Sequence, residues 1–300
     1  SPPSTTARPA SYQFARSLQM PGAVWTVALS PDGARLAAAS DNHVVTIWNP
    51  ASETEIASLA GHTDRVVAAT FSPDSRYLVS GSWDGTAKLW DVGQQRLIRT
   101  MNVRKGVSSL AFSSDGTRLA VGSANKSITV WNLQSGAILH ELRGHKHEVQ
   151  GLAFNADGSM LASVSGEKRV YLWAIEGDGG RTLLKGLRSG ATAVSFGADS
   201  QTLATAGANR VTIWDLTTRQ QTGGSALPGW LYAVIPTPGG GFLALAAGAD
   251  SVILWDMNDD AEPRRLPAGS SIRSVALSRT GDRLVAGSEE GTILVWEPAL

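Results

Sequence analysis

The sequence predicts an all-β chain folded into one closed ring of four-stranded antiparallel units, and three observations point there. Seven tryptophans, Trp48, Trp90, Trp131, Trp173, Trp214, Trp255 and Trp296, recur at intervals of 41 or 42 residues. Ahead of each lie three short segments of alternating apolar and polar type, the pattern of half-buried strands. Turn formers separate them, as Ser72-Pro73-Asp74 and Asp84-Gly85 do in the clearest copy, residues 61–91. A repeat of about 40 to 45 residues with four strands per unit is the mark of a propeller. The fold class expected is therefore a seven-bladed β-propeller of four-stranded antiparallel blades.

Taken in order, residues 1–10 (SPPSTTARPA) are rich in Pro, Ser and Thr and offer little to bury. They read as a flexible linker or tail, the end of a connection from an upstream domain. A chain that opens on Ser is expected to be a fragment or a processed form. Residues Tyr12 to Leu18 align with Arg96 to Met101, the fourth strand after Trp90. The last unit has no fourth strand of its own before Leu300, so the N-terminal segment is expected to supply it and close the ring, removing an open edge. The first three strands of each unit fall in Val24 to Trp48, Val66 to Trp90, Val107 to Trp131, Val149 to Trp173, Ala191 to Trp214, Leu231 to Trp255 and Ile272 to Trp296. Their first turns repeat the same chemistry in different letters, from Ser30-Pro31-Asp32-Gly33 through Thr237-Pro238-Gly239-Gly240 to Ser278-Arg279-Thr280-Gly281. The fifth and sixth copies are the weakest, each lacking one residue in the second turn. No unit can hide both its faces alone, so residues 11–300 are expected to form one domain despite a length of 300.

The Gly61-His62 start and Trp90-Asp91 end of the second unit resemble the WD-repeat β-propellers, and the resemblance covers roughly residues 11 to 297. It implies a hydrogen-bonded network of His, Ser or Thr, Asp and Trp inside a blade. The second unit matches in full with His62, Ser80, Asp84 and Trp90. The fourth has His145, Ser163 and Trp173 but places Glu167 at the Asp position, while the first, third and seventh carry Asn42, Asn125 and Glu290 there and lack the His. An Asp beside a His and a Ser looks like part of a catalytic triad. A nucleophile also needs a cleft and oxyanion donors, whereas a satisfied buried network rigidifies a blade without any substrate. The structural role is the one expected, with blades of unequal stability.

Composition narrows the function classes. Twenty-six basic and 26 acidic residues give zero net charge, so no whole-molecule field steers the chain toward nucleic acid. There is no cysteine, which removes disulfides, thiolate catalysis and thiolate metal sites. No segment approaches the roughly 18 apolar residues of a membrane span. No signal peptide is visible, and a cytoplasmic location is the expectation. His145-x-His147-Glu148 suggests metal ligands, but His145 is claimed by the blade network. Asp256-x-Asn258-x-Asp260 lacks the Gly and distal Glu of a calcium loop. Gly177 to Gly180 and Gly239 to Gly241 precede neither a helix nor a Lys-Ser/Thr pair, so they are not phosphate loops. No catalytic residue, metal or cofactor is expected.

The resemblance also implies that partners dock on the ring's top face, around the channel mouth, through three positions per blade. These are Ala23, Trp25 and Asp41 in the first blade, Arg65, Val67 and Trp83 in the second, and Glu148 and Gln150 in the fourth. The sixth supplies Trp230, Tyr232 and Ala249, and the seventh Ser271, Arg273 and Glu289. The third and fifth supply mostly Gly, Ala, Ser and Thr. Seven of the ten tryptophans close strands, and the other three, Trp25, Trp83 and Trp230, fall on this face. Exposed Trp, Tyr and Arg dominate binding energetics, so a non-catalytic protein or peptide scaffold is expected, its patch spanning blades six, seven, one and two. Two alternatives stand beside it: a regulatory or sensory propeller of a larger, bacterial kinase-type signalling protein, and a small-molecule or sugar site at the channel mouth.

Overall fold

The strand, turn, strand rhythm of the sequence becomes a series of hairpins. The computed structural model describes residues 12–227, 229–236, 242–247, 250–257 and 263–299, without the side chains of 242–244, 246 and 247. Residues 1–10, the Thr237 to Gly240 turn, the glycines through Gly241, Ala249, Asn258 and Asp260 thus lie outside the described residues. Every regular element among those described is a β-strand. The strands form antiparallel sheets of four over residues 26–59, 66–102, 107–143, 149–185, 193–226, 230–267, and 272–298 with Tyr12–Gln19. Six are described throughout and the sheet of 230–267 in part.

The turns fold as their residues dictate. Ser30, Ser72 and Ser113 each donate to the Asp two positions on, Asp32, Asp74 and Asp115, at 2.5 Å. The same serines receive the backbone N–H of Arg35, Tyr77 and Arg118, which locks each hairpin.

The apolar core is divided among the spaces between sheets. Leu59 and Ile47 of the first sheet meet Val66, Leu78 and Trp90 of the second, and comparable clusters join each sheet to its successor. The series then returns on itself: Leu18, Val24, Val27 and Leu36 pack with Val285, Ile293 and Val295 of the last sheet. Burying a Val, Leu or Ile side chain is worth roughly 1.5–3 kcal/mol, and each sheet collects that from both neighbours. Close approach is built into this packing. A Cβ on Gly81 would stand 2.3 Å from Val107 of the next sheet, and one on Gly287 2.5 Å from Val24. At the interface after the fourth sheet the sizes are exchanged: Val164 stands at the Gly81 position and Ala191 at that of Val107. Volume is conserved where identity is not.

Tyr12–Gln19 closes the last sheet as its fourth strand, in antiparallel register from Tyr12 opposite Pro298 to Gln19 opposite Thr292, with a bulge between Phe14 and Arg16. Its side chains fasten it to both ends of the ring. Tyr12 donates to the Gly281 carbonyl at 2.5 Å, and burial, with Asp282 nearby, pushes its phenol up to about 12. Arg16 pairs with Glu297 at 3.1 Å and donates to the Pro50 and Ala51 carbonyls of the first sheet. Glu297 also holds Arg283 at 2.9 Å.

Candidate functional site

The buried His network is the first candidate for chemistry. His62 enters from the loop before the second sheet, while Ser80, Asp84 and Trp90 come from its second strand, second turn and third strand. His62 Nδ1 lies 2.8 Å from Asp84, and Nε2 lies 2.8 Å from Ser80 Oγ. Trp90 Nε1 donates to that same hydroxyl at 2.8 Å. One proton arrangement satisfies all of them: indole N–H to hydroxyl, hydroxyl to Nε2, and Nδ1–H to carboxylate. Burial lowers the His62 pKa despite the Asp84 carboxylate, so the ring is neutral at pH 7. Burial alone would raise Asp84, but hydrogen bonds from Thr86, His62 and the Thr63 backbone outweigh it and hold the carboxyl below its usual range.

The fourth sheet completes the same relay with a longer acid. His145 meets Glu167 and Ser163 at 2.8 Å each, and Trp173 donates to Ser163 at 2.8 Å. Burial lowers His145 as it does His62. The extra methylene of Glu167 is therefore tolerated. His147 is exposed and takes no part in the relay. In the fifth sheet Thr205 accepts from Trp214 at 3.1 Å without any His. Ser80 and Ser163 are fully buried, out of reach of any substrate. Each relay joins strands and turn within one sheet and satisfies the buried polar groups it contains.

The second candidate is the cluster built around Trp25 and Trp83. Trp25 and Trp83, from adjacent blades, tilt at 51° with centroids 6.0 Å apart. Arg65 places its guanidinium 4.6 Å from the Trp25 centroid and 5.4 Å from that of Trp83. Arg273, from the far end of the chain, lies 4.2 Å from Trp25. Asp41 accepts the Trp25 indole N–H at 2.7 Å and pairs with Arg65 at 3.3 Å. The Trp25 bond, with the Ala23 backbone and both arginines, keeps its carboxyl below the usual range. Glu289 pairs with Arg273 at 3.0 Å. Exposed cation–π contacts are worth about 0.5–1 kcal/mol each and exposed ion pairs about 0–1 kcal/mol, so the cluster is shaped more than it is stabilised.

Of the sequence-derived positions, Trp25, Asp41, Arg65, Trp83, Arg273 and Glu289 come together, with Tyr232 near enough for Arg273 and Glu289 to act on its phenol. Trp25 is half-buried beneath the arginines, whereas Trp83 is 47% and Trp230 62% exposed. Among the described residues Trp230 makes no ring contact with the cluster, and Glu148 and Gln150 on the fourth blade do not join it. The chain pattern did not reveal Gly106 as a neighbour of Trp83. A Cβ there would stand 3.1 Å from the Trp83 backbone and 3.3 Å from its ring, so a bare position on the third blade makes room for the indole; the Gly among that blade's face positions was its signal.

The model for the family described as "WD domain, G-beta repeat" matches residues 13–49, 53–91, 95–132, 136–174 and 263–297, more than half of the chain. The unmatched interval holds the two weakest copies. Apoptotic protease-activating factor 1 of Rattus norvegicus is 35% identical over 138 residues, 46% of this chain and 11% of that protein. Periodic tryptophan protein 2 homolog of Schizosaccharomyces pombe is 31% identical over 122 residues, 40% of this chain and 14% of its own length. Autophagy-related protein 16 of Arabidopsis thaliana is 30% identical over 129 residues, 43% of this chain and 25% of its own length. Each match thus spans a quarter or less of the relative.

Proposed function

The chain belongs to the family of WD-domain, G-beta-type repeats, and from that premise we propose that it is a seven-bladed, non-catalytic platform that docks a protein or peptide on the face bearing Trp25, Trp83 and Trp230. The observation that carries this is the exposure of Trp83 beside a half-buried Trp25 that two arginines and Asp41 hold in place, with Trp230 exposed at the start of the sixth blade. Large rigid aromatics flanked by arginine are the side chains on which binding energy concentrates. Soluble chains rarely leave such residues clustered in water without a use. Affinity capture with wild type and the Trp83→Ala/Trp230→Ala variant tests it. The variant should lose its partners while melting within a few degrees of wild type, since Trp83 is already 47% and Trp230 62% exposed. Retention of the same partners by a folded variant would sink the proposal.

A second possibility is supported by the length of the relatives, of which the matched stretch is a quarter or less. The ring would then serve as the regulatory or sensory module of a larger signalling protein, with the same face as its docking surface.

A further inference from the structure

Each blade of a ring leaves one ladder edge open, that of its outer strand. Among the sheets described throughout, the first, second, third, fifth and last interrupt that strand with a bulge opposite the strand-closing tryptophan, as at Ile56, Ile98 and Leu139. A bulge breaks the row of donors and acceptors that another strand would need. Two of these edges also give up a carbonyl, Ile56 to Gln95 at 3.0 Å and Arg143 to Arg181 at 2.8 Å. The sheet of 230–267 ends its outer strand on Pro267, which has no N–H to offer. The fourth sheet differs: its outer strand, Arg181–Lys185, pairs with the strand inside it without interruption.

The groups left free on that edge can be named. The Ala174 N–H donates to the Gly180 carbonyl at 2.8 Å, and antiparallel pairs alternate between bonded and unbonded. Thr182 and Leu184 therefore bond inward, and the main chain of Arg181, Leu183 and Lys185 faces away from the sheet. Among the described residues no loop or side chain bonds to those groups. The side chains of the same three residues share one face. Lys185 stands opposite Arg169, a like-charge pair across the ladder, and among the described residues it has no acidic partner. Arg181 is turned inward, over Tyr171 at 5.3 Å and onto the Arg143 carbonyl. A second copy is a poor occupant, because antiparallel pairing about Leu183 would set Arg181 against Lys185 twice.

From this edge, and independently of the tryptophan-bearing face, we infer that the fourth sheet accepts a fifth strand from a partner protein. The partner supplies an extended segment that runs antiparallel to Arg181–Lys185, with an apolar residue opposite Leu183 and a carboxylate opposite Lys185. Main-chain bonds hold the segment, and the carboxylate relieves the repulsion between Lys185 and Arg169 while fixing the register.

The test uses the whole chain and the fluorescein-labelled peptide Thr-Thr-Glu-Thr-Val-Thr-Thr, whose valine falls opposite Leu183 when its glutamate falls opposite Lys185. By fluorescence anisotropy it should bind about threefold or more tighter than the same peptide with lysine in place of glutamate. Lys185→Glu should reverse that order without lowering the melting temperature. N-methylation of the valine, whose N–H points at the sheet, should weaken binding about tenfold, while N-methylation of the threonine before it, whose N–H points away, should not. Bound peptide should slow hydrogen exchange over residues 181–185. An order indifferent to Lys185→Glu, equal effects of the two N-methyl groups, or no binding of the glutamate peptide would overturn the inference. So would a dimer in sedimentation that the glutamate peptide disperses, since a second copy would then be the occupant. Trp83→Ala/Trp230→Ala should bind this peptide like wild type, so the docking role proposed above stands or falls by its own test.

Discussion

In the second sheet the Trp90 indole donates to the Ser80 hydroxyl, which donates to His62 Nε2, while His62 Nδ1–H donates to Asp84. In the first sheet Trp48 occupies the matching strand position, but Ala38 stands where Ser80 would, and the indole N–H is buried without a partner. The third sheet repeats the omission, with Val121 in that place and Trp131 left unpaired. All three sheets nonetheless hold the same register and the same packing against their neighbours. The polar relay is therefore not what makes a blade. Apolar contact between sheets does that, and the relay is expected to add to how firmly a given blade is held.

The largest expected effect comes from making the second sheet like the first. Ser80→Ala strands both the Trp90 donor and His62 Nε2, and two buried unsatisfied groups should cost on the order of 3 kcal/mol. Urea denaturation of wild type and variant measures it. A loss below about 1 kcal/mol would mean that the two kinds of blade are energetically alike after all.

Acid should act on the same contrast, more gradually. Burial lowers both His62 and His145 in the folded state, so the unfolded chain binds protons that the folded one refuses. Their contribution to stability is complete above the ordinary value of 6.5 and is lost as pH falls below it. Asp84 and Glu167, held below the usual carboxylate range, add a further loss at still lower pH. Thermal melts across that range should show wild type weakening below pH 6.5, while a His62→Asn/His145→Asn variant, less stable throughout, weakens only where carboxylates titrate. A parallel decline in both would place the acid sensitivity outside the relays.

The smallest effect should run the other way. Val121→Thr offers Trp131 the acceptor that Thr205 gives Trp214 at 3.1 Å. The new bond is worth about 0.5–1.5 kcal/mol, offset in part by burying the hydroxyl. A melting temperature unchanged or slightly raised is expected. A clear drop would show that the unpaired indole tolerates its place better than the strand tolerates a hydroxyl.

How much was legible follows from how locally each feature is written. Strand and turn chemistry repeats within a few residues, so the tryptophan interval and the Ser-x-Asp turns disclosed the repeat directly. The closing strand could be read too, because Leu18 aligns with Met101 and the last unit would otherwise lack an edge partner. The relay of the fourth blade was only half visible: Glu167 departs from the Asp pattern, and whether an extra methylene still reaches His145 is a question of distance. The starved indoles of Trp48 and Trp131 were not visible at all, since Ala38 and Val121 look like ordinary core residues until the facing ring is placed.

The sequence by itself determined that the chain makes repeated antiparallel hairpins and that its first strand belongs with its last, because periodicity and turn chemistry act through neighbours in the chain. Only the tertiary structure decided that Arg65 and Arg273, far apart in the chain, both lie over the same Trp25 ring, and that Gly106 makes room for Trp83. Those contacts exist because closing the ring brings the last sheet against the first, and no local pattern encodes which side chains then meet.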